Sequence, residues 1–188
     1  MHLVNVSTKS VHKLPAIFLD RDGTLIDDPG YLHDHNSVVW REGALESLRR
    51  LQVTGYALII VTNQSGIGRG YYTIEEMQAV NQRILDDARE AGIVITDIFY
   101  CPHLPEEGCN CRKPNPGMIE SALEKYYLDR ETSWIFGDKC SDIQAGANAR
   151  IRTVLIGSGN DCPAIPTHSC PGIVEAVNYV IQSRTDSV

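Results

Sequence analysis

Short apolar runs that stop at a carboxylate or a hydroxyl constrain this chain more than any other feature. Ala16-Ile17-Phe18-Leu19 ends at Asp20, Tyr56–Val61 ends at Thr62, and Ser133–Phe136 ends at Gly137-Asp138. Runs this short, bounded by polar residues, read as buried strands. Helical patterns fall between them. Leu45, Leu48 and Leu51 predict a helix over Gly43–Val53. Thr73 and Glu76 form a capping-box pattern whose helix should run to about Ala91 and stop at Gly92. Pro116 suits the first turn of a helix reaching about Tyr127, and another helix is expected near Ser141–Ala149. Ile93–Tyr100 and Thr153–Ile156 supply two more strands. The stretch that follows reads as a loop and then a terminal helix from about Gly172. Strand alternating with helix predicts βαβ units and a parallel α/β sheet. Ligands bind such sheets at the carboxyl edge, so Asp20, Thr62 and Asp138 should meet in one crevice.

Composition narrows the partners. The 188 residues, 43% of them hydrophobic, are enough for one domain with a substantial core. We assign residues 15–188 to that domain and residues 1–14 to a polar leader. The formal net charge of −7 disfavours non-specific binding to nucleic acid or to an anionic membrane. No apolar run approaches the ~20 residues of a membrane span, and Met1–Leu14 lacks the apolar block of a secretory signal. The expectation is a soluble, cytoplasmic protein, acting as a monomer.

The strand ends carry the chemistry. In Asp20-Arg21-Asp22-Gly23-Thr24, two carboxylates one residue apart can face the same crevice. Such a pair calls for a compensating cation, for which Mg²⁺ is the ordinary choice. Taken alone, the same pattern also fits an Asx turn or a helix cap. Thr62-Asn63-Gln64-Ser65-Gly66 offers hydroxyl, amide and backbone N–H donors suited to a phosphate, or a plain polar turn. Arg112-Lys113-Pro114 brings two adjacent cations. Gly137-Asp138-Lys139-Cys140-Ser141-Asp142 brings two carboxylates at helical spacing.

Three of the six cysteines crowd into one loop as Cys101-Pro102-His103 and Cys109-Asn110-Cys111. Three thiolates and an imidazole at this spacing can close a tetrahedral Zn²⁺ site without an open position, which makes the site structural. Cys140, Cys162 and Cys170 have no such spacing and read as ordinary core or surface residues. His168 is not read as part of a second metal site. His33 and His35 read as loop decoration rather than sugar contacts.

In this order and on these strand ends, the four strand-end segments resemble the motifs of the haloacid dehalogenase (HAD) superfamily. The resemblance implies a Rossmann-like three-layer α/β sandwich with a mainly parallel sheet, a zinc-stabilised loop and no large cap domain. It implies that Asp20 is a nucleophile forming an aspartyl-phosphate and Asp22 the general acid and base. Mg²⁺ would be held by Asp20, the backbone carbonyl of Asp22 and Asp138. Lys113 and Thr62 would stabilise the transferring phosphoryl group, and Asp142 would hold Lys113 or a metal-bound water.

A narrower resemblance covers about Pro15 to Ile156. Val61–Gly70, the zinc loop, Cys111–Met118 and Gly137-Asp138-Lys139 are similar to those of D-glycero-D-manno-heptose 1,7-bisphosphate 7-phosphatases. The resemblance implies a small phosphorylated sugar as substrate, contacted by Asp28-Pro29-Gly30-Tyr31, by Thr62-Asn63-Gln64-Ser65, and by Arg112, Lys113 and Lys139. Arg112 would set specificity. The product would feed ADP- or GDP-heptose synthesis, for lipopolysaccharide or surface glycans. The histidinol-phosphate phosphatase branch is the alternative, because it shares Asp-x-Asp-x-Thr, the zinc loop and Arg-Lys-Pro. The short stretch Cys101–Cys109 resembles that branch as well. A non-catalytic zinc-stabilised binding module is the distant alternative.

Overall fold

The structure, a computed structural model, describes residues 13–157 and 162–185. Six strands form one sheet: β1 (Leu14–Leu19), β2 (Ala57–Asn63), β3 (Asp97–Cys101), β4 (Leu128–Gly137), β5 (Arg152–Ile156) and β6 (His168–Cys170), in the order β3-β2-β1-β4-β5-β6. Every neighbouring pair is parallel. The helices are α1 (Ala44–Val53), α2 (Ser65–Gly68), α3 (Ile74–Glu90), α4 (Gly117–Lys125), α5 (Cys140–Asn148) and α6 (Ile173–Thr185).

Side chains on a strand alternate between its two faces, and this alternation divides the core. Ile17 and Leu19 of β1, with Leu58 and Ile60 of β2, face α1, α3 and α6 through residues such as Leu48, Ile84 and Val177. Ala16 and Phe18, with Ile59 and Val61, face the other way, onto Met118, Ala122 and Ala145 of α4 and α5. The result is the three-layer parallel sandwich expected from the sequence. Residues 20–43 connect β1 to α1 without a cap domain among the described residues.

The predicted Thr73 capping box forms, with Thr73 Oγ1 accepting from the Glu76 N–H and the Glu76 carboxylate accepting from the Thr73 N–H. Other elements differ from the sequence reading. The third strand begins at Asp97 rather than Ile93. Ahead of it the Ile93 N–H closes the end of α3 on Ala88 O, and the Val94 N–H is taken by the Gln52 side chain. β4 begins at Leu128 rather than Ser133, because its first residues pair with Leu14 and Pro15 before the register shifts. Leu14 therefore belongs to β1 and not to the leader; the rest of that reading, at 1–12, lies outside the described residues. Pro116 is the N-cap of α4 rather than a residue of its first turn. β6 lies in a stretch read as loop, where polar edge residues carry no strand period. No helix among the described residues is long and apolar enough to cross a membrane.

Candidate active site

Chain order reverses between β1 and β4, and that switch point opens a crevice at the carboxyl edge of the sheet. Leu19 pairs with Ile60 on one side and Phe136 on the other, so the three strands end nearly level. The Asp20 N–H donates to Phe136 O at 2.9 Å, fixing the first carboxylate against β4. Asp138 follows from β4. Gly23, at φ +90°, bends the chain back beneath it: a Cβ there would lie 2.4 Å from Asp138 Oδ2. The L-side-chain penalty at that φ and this close approach both require glycine.

Lys113 ties the crevice together. Its ammonium lies 2.7 Å from Asp20 Oδ1, 2.7 Å from Val61 O and 2.5 Å from Asp142 Oδ1. Asn63 holds the lysine's backbone from both sides, accepting from its N–H at 3.0 Å and donating to its C=O at 2.9 Å. Burial works against the charge on Lys113, but Asp142 and Asp20 outweigh it and raise the ammonium above its ordinary value. Burial pushes the Asp142 carboxyl up to about 7, against the pull of Lys113. Two carboxylates within contact of one lysine keep that cation charged.

Asp22 sits beside this group. Arg21 Nε lies 3.1 Å from both its oxygens, and Gln64 Nε2 donates to Oδ2 at 2.8 Å. Thr62 Oγ1 accepts from Gln64 Nε2 at 2.8 Å and reaches toward Asp22 Oδ2 at 3.4 Å. A cleft of about 340 Å³ opens outward from Asp22, lined by Asp28, Gly30, Tyr31, Asn63, Gln64, Ser65, Arg112 and Lys139 among others. Across it, Lys139 Nζ donates to Asp28 Oδ2 at 3.0 Å. Burial opposes the charge on both, but the pairing prevails, so Asp28 is lowered and Lys139 raised. The residues expected around substrate thus assemble on one wall or the other. The exceptions are Thr62 and Lys113, which lie deeper, in a small recess with Asp20 and Asp142, and Pro29, which is exposed and lines neither.

Two clusters among the described residues can hold a metal ion: the thiol–imidazole set is the one expected, and the carboxylate set groups Asp142, rather than Asp22, with Asp20 and Asp138. Carboxylate oxygens of Asp20, Asp138 and Asp142 lie within 4.8 Å of one another. Lys113 contacts Asp20 and Asp142, leaving Asp138 without a cation in contact. Burial raises its carboxyl and Asp20 raises it further. Hard oxygen donors with unbalanced negative charge fit a divalent cation such as magnesium. In the second cluster Cys101, Cys109, Cys111 and His103 Nδ1 stand 3.1–3.5 Å apart in their closest contacts. These sulfurs are too far apart for disulfides. They approach the ~3.8 Å edge of a tetrahedron of thiolates around a metal at 2.3 Å.

Some functional neighbours escaped the sequence reading. Arg21, fully buried between the two aspartates, also donates to Asn81 Oδ1 at 2.8 Å. Tyr72 donates to Gln64 Oε1 at 2.6 Å, and His33 stacks on the Tyr72 ring rather than standing free in its loop. A cation inside Asp-Arg-Asp was the available signal for Arg21; nothing local marks Tyr72 or Asn81. Cys140 and Cys162, read as ordinary residues, form a disulfide with Cα atoms 5.1 Å apart. The crossover through α5 and β5 brings them together, which a separation of 22 residues cannot announce. Cys170 is buried and free, and His168 stacks on Tyr179.

Comparison with known proteins agrees with this geometry. A family model for HAD-hydrolase-like proteins matches residues 110–183. D-glycero-beta-D-manno-heptose-1,7-bisphosphate 7-phosphatase of Pasteurella multocida is 39% identical over 178 residues, covering 91% of this chain and 93% of that protein. D-glycero-alpha-D-manno-heptose-1,7-bisphosphate 7-phosphatase of Photorhabdus laumondii is 41% identical, covering 79% and 86%. Among solved structures, D,D-heptose 1,7-bisphosphate phosphatase from B. bronchiseptica, complexed with magnesium and phosphate, superposes with a TM-score of 0.83. It is 28% identical and the match covers 90% of this chain and 99% of that one. With its site at the β1/β4 switch point and relatives this similar over most of their length, the chain belongs to the D-glycero-D-manno-heptose-1,7-bisphosphate 7-phosphatase family of the HAD superfamily.

Proposed function

We propose that the chain is a phosphatase that removes the 7-phosphate of D-glycero-D-manno-heptose 1,7-bisphosphate through a covalent intermediate on Asp20. The observation that carries the reading is the buried Asp20–Lys113–Asp142 group at the sheet edge, with Asp22 held beside it at the foot of an open cleft.

In the first step an Asp20 carboxylate oxygen attacks phosphorus and the bond to the sugar oxygen breaks. Asp22 delivers a proton to the departing alkoxide, which leaves as the alcohol. In the second, Asp22 takes a proton from water as its oxygen attacks phosphorus, and inorganic phosphate departs with Asp20 restored. Lys113 and the Thr62 hydroxyl face the oxygens on which charge accumulates, and Asp142 keeps the ammonium of Lys113 aimed. When bound by Asp20, Asp138 and the Asp22 carbonyl, magnesium offsets the repulsion between carboxylates and phosphate. The relative crystallised with magnesium and phosphate supports that choice. The Cys101–His103–Cys109–Cys111 set fits structural zinc, since four protein donors leave no place for water. On the outer wall Arg112 and Lys139 supply cations for the far end of a bisphosphate, beside Asp28, Gly30 and Tyr31.

The reading places a monomer in the cytoplasm, upstream of ADP- or GDP-heptose formation. Three thiols gathered at one point, suited to a metal, support a reducing compartment, in which the Cys140–Cys162 bridge would open to its dithiol. The test is phosphate release with Mg²⁺ from both anomers of the bisphosphate and from histidinol phosphate. A kcat/KM for one heptose anomer at least a hundredfold above that for histidinol phosphate is expected. The reverse order would move the protein to the histidinol-phosphate branch.

A further inference from the structure

We infer that Tyr72 is a positioning residue for Asp22, acting through the amide of Gln64. The inference rests on the assignment of Asp22 as the proton donor to the leaving group. Gln64 is almost completely buried and its amide stands between two different demands. On one side Nε2 faces Asp22 Oδ2 and Thr62 Oγ1, each at 2.8 Å. On the other, Oε1 accepts from the Tyr72 hydroxyl at 2.6 Å.

An amide can turn over, exchanging oxygen for nitrogen, unless its partners forbid it. Here Tyr72 does so. Its hydroxyl donates to Gln64 Oε1, while the Asp22 carboxylate, which can only accept, takes the amino end. A tyrosine that donates pairs only with the carbonyl end of the amide, so the amino end is presented to Asp22. Burial also pushes the Tyr72 hydroxyl up to about 12, so it keeps this proton at working pH.

The ring that carries the hydroxyl is itself seated. A Cβ on Gly66 would lie 2.1 Å from Tyr72 Cε1, so only glycine lets the ring lie flat against α2. His33 stacks on the ring, nearly parallel, with centroids 5.7 Å apart. His33 belongs to the connection that carries Asp28, Gly30 and Tyr31, and its Nδ1 lies 2.9 Å from Tyr31 O. The cleft wall, the ring, the amide and the carboxylate thus form one continuous packed chain. From the opposite side Asp22 is held by the buried Arg21, whose other end is anchored on Asn81. A carboxylate gripped from two sides has few rotamers left, which is what a proton donor aimed at one leaving oxygen requires.

Tyr72→Phe tests this, because it deletes the hydroxyl and keeps the ring. Proton donation matters for an alkyl phosphate, whose alkoxide is a poor leaving group. It matters little for 4-nitrophenyl phosphate, whose phenolate departs unprotonated. In the full chain with Mg²⁺, kcat/KM for the heptose bisphosphate is expected to fall about tenfold and that for 4-nitrophenyl phosphate less than twofold. On a Gln64→Ala background the same substitution should cost nothing further, since its only route to Asp22 is gone. Equal losses on both substrates, or an undiminished loss on the Gln64→Ala background, would overturn the inference while leaving the phosphatase reading intact. Absence of Mg²⁺-dependent turnover by the unmodified protein would overturn both.

Discussion

Lys113 and Asp142 meet at 2.5 Å where both side chains are 2% exposed or less. Lys113 arrives from the connection between the cysteine loop and α4, Asp142 from the first turn of α5. Their contact therefore joins two crossovers on the same side of the sheet, directly behind Asp20. Asp142→Ala should strip Lys113 of one partner and leave its charge held by Asp20 alone. Removing one member of a buried pair costs about 3–5 kcal/mol when the other charge is left unpaired; with Asp20 still in contact, denaturant unfolding should show a smaller but measurable loss. Because Lys113 then pairs more tightly with the nucleophile, kcat should fall by at least tenfold. Unchanged stability would mean the pair contributes nothing to folding.

Cys109→Ser removes one of four donors converging beside Arg112 and Lys113. Elemental analysis should find zinc in the purified parent and less of it in the variant, and thermal melting should drop by several degrees. Arg112, whose guanidinium donates to His103 O at 3.3 Å within that loop, should lose its seat, so KM for the bisphosphate should rise more than kcat falls. Full zinc content and full activity would contradict the reading.

Lys139 and Asp28 form a half-exposed pair, of the kind worth only about 0–1 kcal/mol. Lys139→Ala should leave the melting temperature nearly unchanged. It should nonetheless raise KM for the bisphosphate by about tenfold, through loss of a charge-assisted contact to phosphate. A large stability loss with unaltered KM would assign this lysine to folding instead.

Asp97 gives the acid limb of stability. Burial alone would raise its carboxyl, but Lys125, Tyr126 and the Ile98 N–H outweigh it and lower it below the usual carboxylate range. A carboxyl lowered in the folded state stabilises the protein above its unfolded pKa, near 3.9, and loses that contribution as pH falls through the folded value. Melting temperature should therefore decline below pH 4. The decline should be shallower in Asp97→Asn, measured against the parent from pH 6 to 3. Parallel curves would remove Asp97 from the account.

Much of this arrangement can be read from the chain because local signals and tertiary demands coincide. Ala16–Leu19 is uniformly apolar since both faces are covered, and Asp20 follows at the point where burial gives way to the crevice. Cys101, His103, Cys109 and Cys111 are close in sequence and need no long-range knowledge to be grouped. The residues that escaped are those whose partners come from distant elements. Asn81 meets Arg21 only because α3 lies beside the end of β1, while Tyr72, the nearer exception, reaches Gln64 back over the short α2. Cys140 and Cys162 are joined through a crossover. β6 is an edge strand of polar residues whose place is set by its ladder with Val154–Ile156 rather than by hydrophobic alternation.

The central claim is that Asp20 becomes phosphorylated. Rapid acid quench of the protein with bisphosphate labelled at the 7-phosphate tests it most directly. A transient, hydroxylamine-labile label is expected on the unmodified chain. None is expected on Asp20→Asn, whose kcat should be down by about four orders of magnitude once covalent catalysis is lost. A label that persists in Asp20→Asn, or phosphate release by that variant within tenfold of the parent, would contradict it.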